Sequence, residues 1–191
     1  MTTTALKLFA AALLSIALHK GVAAETPATD SDIPSHYAPY ALLAGDWDVT
    51  PATGGPAVAR QQVTFGPGNS YLWFALSVFA NGREEPHLEG ILVWNALNDN
   101  LDMLFSVDLN GGKVQEQGTL SIKDDGTLVR EINAVYPGPN GAGGKTSRFR
   151  QTFSPVSSDR ILTSVMRETP EGWVPTFPGS DALVLTRRAG S

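Results

Sequence analysis

The 191-residue sequence contains no cysteine, which excludes disulfide staples, thiolate zinc sites and cysteine nucleophiles. It is also short of positive charge: 14 Lys and Arg stand against 19 Asp and Glu, for a net charge of -5. With no basic block along the chain, the electrostatic footprint of nucleic-acid binding is missing. So is any apolar run of roughly 20 residues, the length that a bilayer-spanning helix needs. His36 and His87 are too far apart in sequence to give a metal-ligand spacing, and neither a metal nor a cofactor is expected. Gly66-Pro67-Gly68 and the Gly141–Gly144 stretch are not followed by the helix that an anion-cradling loop requires, and the serines lack the strand-turn-helix setting of a nucleophile elbow.

What is present begins with an address. Lys7 precedes an apolar run from Leu8 to Leu18, and Val22-Ala23-Ala24 supplies small residues for cleavage. This is the pattern of a secretory signal peptide, residues 1–24. Export to a periplasm or the medium follows, with no integral membrane span after processing. Cleavage removes Lys7 and Lys20 and no acidic residue, so the mature chain is more acidic than the whole. Residues 25–39, rich in Thr, Pro, Ser and Asp, read as a flexible leader without core.

From residue 40 the composition, 42% hydrophobic and 17% charged, suits one globular domain, 40–188. Pro39 followed by Tyr40-Ala41-Leu42-Leu43-Ala44 predicts one or two helical turns, with Gly45 placed to cap them. Beyond it, runs rich in β-branched and aromatic residues predict strands at 46–51, 58–65, 70–80, 85–95, 101–109, 113–122, 127–136, 146–154, 160–168 and 182–188. They are separated by turn formers such as Asn81-Gly82, Asn98-Asp99-Asn100, Asn110-Gly111-Gly112, Asp124-Asp125-Gly126, Asn140-Gly141 and Glu171-Gly172. Such short links forbid parallel crossovers, so successive strands pair antiparallel. The expected fold is all-β, an up-and-down meander closed into a barrel of about 8–10 strands, because closure removes the edges that so long a sheet would expose. A two-sheet sandwich is the alternative and would need longer links. Pro137–Lys145 and Pro170–Ser180 exceed what a hairpin requires and are either lids over a barrel mouth or plain solvated loops.

In Leu43-Ala44-Gly45-Asp46-Trp47-Asp48 a short helix ends in Gly, skips one residue and opens the first strand with Trp. This resembles the Gly-x-Trp opening of the lipocalin and calycin barrels. The resemblance implies that Trp47 plugs the closed end and that Arg187 or Arg188, at the end of the last strand, packs across its ring. Gly90-Ile91-Leu92-Val93-Trp94-Asn95, Leu101-Asp102-Met103-Leu104-Phe105 and Asp125-Gly126-Thr127-Leu128-Val129 look like the hairpins of small exported bacterial proteins with a lipocalin-like domain of unknown function. What this implies is a cup with a pocket and no catalytic motif to carry over.

Candidate site residues come from the strands. Trp73, Trp94, Phe105 and Tyr136 are candidates to line a pocket for a small hydrophobic or amphipathic ligand. The strand 70–80 is apolar at both parities, as expected of one that is buried on both faces or lines a cavity. His87 and Glu89, two apart and so on one strand face, either form a general base pair or face water. Arg148 and Arg150 share a face and could hold a ligand carboxylate if turned inward. The opposite face, with Phe149, Gln151 and Phe153, is the better candidate for core. Three functions fit: a carrier, a cofactor-free isomerase or lyase using the same cup with His87 and Glu89, or an inward Arg, as its acid and base, or an envelope module that binds a partner protein on its outer face. Nothing in the sequence specifies an oligomeric state.

Overall fold

A computed structural model describes residues 33–109, 112–136 and 144–189. The proposed signal peptide, most of the leader, and the turns at Asn110-Gly111 and Asn140-Gly141 lie outside the described residues. Eleven strands form one continuous antiparallel sheet: β1 (Gly45–Pro51), β2 (Ala59–Phe65), β3 (Leu72–Ala80), β4 (Arg83–Asn95), β5 (Asn100–Leu109), β6 (Gly112–Ile122), β7 (Leu128–Tyr136), β8 (Lys145–Ser157), β9 (Arg160–Thr169), β10 (Gly172–Pro175) and β11 (Leu183–Arg187). Each of β1 to β9 pairs with the next, and β11 pairs with both β9 and β1. The result is a closed ten-stranded barrel, consistent with a lipocalin-like fold, and the sandwich alternative is ruled out.

The eleventh strand was not expected from sequence. β10 falls inside the long connection at 170–180 and pairs with Glu168 and Thr169 at the end of β9, while β11 takes the other end of the same strand edge around Leu183↔Thr163. Four residues, Gly172-Trp173-Val174-Pro175, are too short and too Pro-flanked to announce a strand by alternation. The ten predicted strands are all present within a few residues of their expected ends. At Asn81-Gly82 both residues have positive φ, 51° and 75°, the type I′ geometry that matches hairpin twist.

The 3-10 helix Ala38–Leu43 starts two residues earlier than expected and lies at the end of the barrel where Asp99 of the β4–β5 turn and Ile122 at the end of β6 come close to Tyr40. Pro39 occupies its first turn. Among the described residues no helix is long and apolar enough to cross a membrane. Packing also begins earlier than predicted: within the expected leader, Ile33 packs against the core and Tyr37 is 1% exposed. The Tyr37 hydroxyl donates to the Ser70 carbonyl (2.8 Å) and accepts the Trp94 backbone N–H (3.0 Å), so this end of the barrel is stitched shut. Tyr40, Leu43, Trp47, Leu72, Leu92, Leu101, Leu120, Leu128, Phe153 and Ile161 fill it and are fully buried.

Closure is anchored where residues opposite in sequence meet. Trp47 and Arg187 are directly paired across β1 and β11. The Arg187 guanidinium lies 4.2 Å from the Trp47 ring centroid and donates to the Ala44 carbonyl (2.6 Å) and the Ser158 carbonyl (3.1 Å). Trp47 Nε1 donates to the Leu43 carbonyl at 2.9 Å. Gly45 does not cap the helix. It does stand just after the extended C-cap residue Ala44, but at φ +124° it lies outside the left-handed helical region and opens β1 with the guanidinium against it.

Candidate functional site

Alternation along each strand places one residue set inside the barrel. In the closed-end half these inward residues are large and fill the space. In the other half Val49, Ala59, Leu76, Val78, Leu88, Val107, Val165 and Leu183 leave a cavity of about 350 Å³, at the low end of the roughly 300–1,000 Å³ of small-molecule sites. Thr176 and Phe177, from the segment after β10, contribute at its mouth.

Besides His87, Tyr136 and Thr176, five polar side chains interrupt this apolar interior, each from a different strand: Gln61 (β2), Glu116 (β6), Arg130 (β7), Gln151 (β8) and Thr163 (β9), all lining the cavity. Each sits two residues from an inward apolar neighbour, as Arg130 does between buried Leu128 and slightly wetter Ile132. Arg130 is 3% exposed. Its Nη2 donates to Glu116 at 2.7 Å and its Nη1 to Gln151 at 3.0 Å, and Gln151 Nε2 reaches Thr163 Oγ1 at 3.3 Å. The guanidinium also lies over the Phe105 ring (4.6 Å) and near that of Phe74 (5.5 Å), which spread its charge over two aromatic faces. Burial presses the Arg130 pKa downward, and the Glu116 carboxylate pulls it back up. An arginine so held stays charged, and the pair as a whole is neutral.

Among the described residues three buried side-chain polar atoms lack a hydrogen-bond partner: Gln61 Nε2, Arg130 Nε and Asn100 Oδ1. The first two belong to cavity-lining residues. Tyr136 lines the same cavity from the end of β7; burial, and then Glu116, raise its pKa, with Arg167 acting in the opposite sense.

The residues singled out from sequence divide between inside and outside. Tyr136 lines the cavity, and Phe105 is buried beneath the Arg130 guanidinium. Trp94 lies at the closed end instead, its ring 5.0 Å from that of His36. Trp73 points outward, into a shallower and more open groove shared with Glu89, Leu104 and Lys113. Arg148 and Arg150 also lie on the outer face. Arg148 pairs with Glu168 (2.9 Å), and Arg150 pairs with Glu131 (2.7 Å) and stacks on Trp173 (4.3 Å). Their inward counterparts are Phe149, Gln151 and Phe153, since two phenylalanines gain more from burial than two guanidinium groups.

His87 and Glu89 are separated. The β3–β4 register runs Leu76↔Leu88 and then Ser77↔Pro86, which leaves His87 as an extra residue in a bulge. His87 and Leu88 consequently both line the cavity while Glu89 falls outside. The cause is visible beside it, because Pro86 cannot donate to the ladder and is tolerated in a strand at a bulge. The expected acid–base pair is therefore not assembled. Among the described residues no group of three or more acidic or histidine side chains is gathered to hold a metal.

The polar cluster itself was not proposed from sequence. Its signal was present: a single Arg, Gln, Glu or Thr at the parity of Leu, Ile, Val or Phe in five separate strands. A scan against models of known protein families finds no match, and no curated protein matches the chain.

Proposed function

We propose that this chain is a periplasmic or secreted, lipocalin-like carrier that binds a small hydrophobic or amphipathic molecule inside its barrel. The observation that carries the reading is the cavity of about 350 Å³, whose apolar walls surround one buried polar cluster. Apolar walls supply affinity in proportion to the area they cover, and a few fixed polar groups orient the guest. The Arg187–Trp47 closure and the fully packed closed end support a cup with one mouth. Export is supported by Lys7, the Leu8–Leu18 run and Val22-Ala23-Ala24.

Native mass spectrometry of the mature protein, purified from the exported fraction of its own host, tests both halves. The expected result is a mature mass beginning after Ala24 and a reproducible extra mass that is released on denaturation. A clean mass with no adduct, together with no binding of an apolar dye such as Nile red, would overturn the carrier reading.

A further inference from the structure

Resting on that carrier reading, we infer that the cavity selects an uncharged guest bearing a hydrogen-bond acceptor, such as a ketone, ester or amide carbonyl, over one bearing a carboxylate. A buried arginine inside a barrel would by itself favour an anion. Here the Arg130 charge is already met by Glu116 at 2.7 Å, with Gln151 on the same guanidinium at 3.0 Å. A carboxylate entering this cavity would bring a second negative charge beside Glu116, with His87 as the other ionisable side chain in the lining besides Tyr136, and burying a charge that is incompletely balanced is costly.

The cavity's unmet needs are different in kind. Gln61 Nε2 and Arg130 Nε have no partner among the described residues, and both are donors. Gln61 is 2% exposed and Arg130 3%, and the two donor atoms are closed to water from the cavity side as well as from outside, so a guest's oxygen meets either one only as the Gln61 or Arg130 side chain turns toward the cavity. A buried donor left unpaired is costly, and a neutral acceptor oxygen removes that cost without adding charge. The aromatic and aliphatic walls around these groups, among them Phe74, Leu76, Val107 and Leu185, suit the hydrocarbon part of the same molecule.

Displacement of Nile red by octanoate, octan-2-one and n-octane at pH 7 separates the possibilities. Octan-2-one is expected to bind at least about tenfold more tightly than octanoate, and about three- to tenfold more tightly than n-octane, the gain of one hydrogen bond. Octanoate binding as well as or better than the ketone would overturn the inference and leave the carrier reading standing. Displacement by none of the three would remove the carrier reading and the inference with it. Glu116→Gln, which keeps shape while lifting the neutralising charge, is expected to raise octanoate affinity about tenfold or more and to change that for octan-2-one less than threefold. An unchanged order of affinities in that variant would show that Glu116 does not set the preference. Gln61→Leu is expected to weaken the ketone and leave n-octane unaffected, with a thermal melt checking that the variant is folded; equal loss for both guests would count against a donor role for Gln61.

Discussion

Gly45 shows how one residue couples two distant parts of this chain. A Cβ added there would lie 2.1 Å from Arg187 Nη1, at a backbone φ of +124°, so the position demands glycine for both space and conformation. Gly45→Ala is expected to cost about 1–3 kcal/mol, the range of a strained backbone position. Part of that cost should vanish in the Gly45→Ala, Arg187→Ala double variant, where the clash is gone and the strained φ remains; simple additivity in a double-mutant cycle of thermal melts would show that the two do not meet. The tyrosines set a second expectation. Burial raises the pKa of both Tyr40 and Tyr136, Asp99 adding to the effect at Tyr40 and Glu116 at Tyr136. The folded chain therefore holds these protons more tightly than the unfolded one. Their contribution to stability is complete below pH 10 and is lost as pH rises from 10 through the raised folded values. Denaturant melts from pH 9 to 11.5 should show falling stability, with a shallower fall in Tyr136→Phe; an identical slope in that variant would disprove the contribution of Tyr136.

At the scale of elements, what was legible in the sequence and what was not follows from length and regularity. The nine hairpin strands and β11 carry enough residues for period-two alternation to show, and their turns carry Asn, Asp and Gly where positive φ is needed, as at Asn81, Gly82, Asp99 and Gly126. A contact between Trp47 and an Arg at the end of the last strand was expected only from the Gly-x-Trp resemblance, which left Arg187 and Arg188 both open, and it is Arg187 that lies over the ring. Inward and outward assignment failed where alternation was broken by the His87 bulge, and where large aromatics occupied both parities, as in β3. Arg130 was not singled out as a site residue because a charged residue at a core parity reads as solvent-facing until its partners are known, and Glu116, Gln151, Phe74 and Phe105 come from four other strands. β10 and the segment that follows it are the clearest case of an element held by contacts that no local pattern reveals. Ser180 is fully buried, and its hydroxyl donates to the Val165 carbonyl (2.8 Å) and accepts the Phe177 N–H (3.2 Å). Phe177, 46% exposed, is thereby kept at the cavity mouth. Ser180→Ala leaves the half-buried Phe177 N–H with no hydroxyl to meet it and the Val165 carbonyl without the Ser180 donor, so local opening should become easier by about 1–3 kcal/mol. Hydrogen exchange at the amides of Thr176 and Phe177 should then quicken by roughly 5- to 150-fold, with β5 and β6 unchanged; unaltered protection at the mouth would mean that Ser180 does not fasten it.

The whole molecule depends on joining its first strand to its last. Every pairing from β1 to β9 is between strands adjacent in sequence, but the barrel closes through β11 against β1, where the Arg187 guanidinium meets the Ala44 carbonyl across 143 residues. Closing so long a loop is entropically costly until the contacts it permits are made, and barrels rich in non-local pairing fold slowly, in milliseconds to seconds or longer. Hairpins can form and stack before closure, so the Trp47–Arg187 contact belongs late on the folding path. Truncating Trp47, which is fully buried, to Ala should cost about 3–5 kcal/mol, the range for a buried aromatic. If closure comes late, that loss falls on the unfolding limb, and Trp47→Ala should unfold roughly 10²- to 10⁴-fold faster while its folding rate changes little. The comparison residue is Phe105, in the β4–β5–β6 hairpins and packed at a tilt against Phe74 with ring centroids 5.4 Å apart, whose substitution by Leu should slow folding. Stopped-flow chevrons of the two variants decide the order. A Trp47→Ala variant that folds much more slowly and unfolds at the parent rate would place closure first, with the hairpins of the meander zipping up from the Trp47–Arg187 seam.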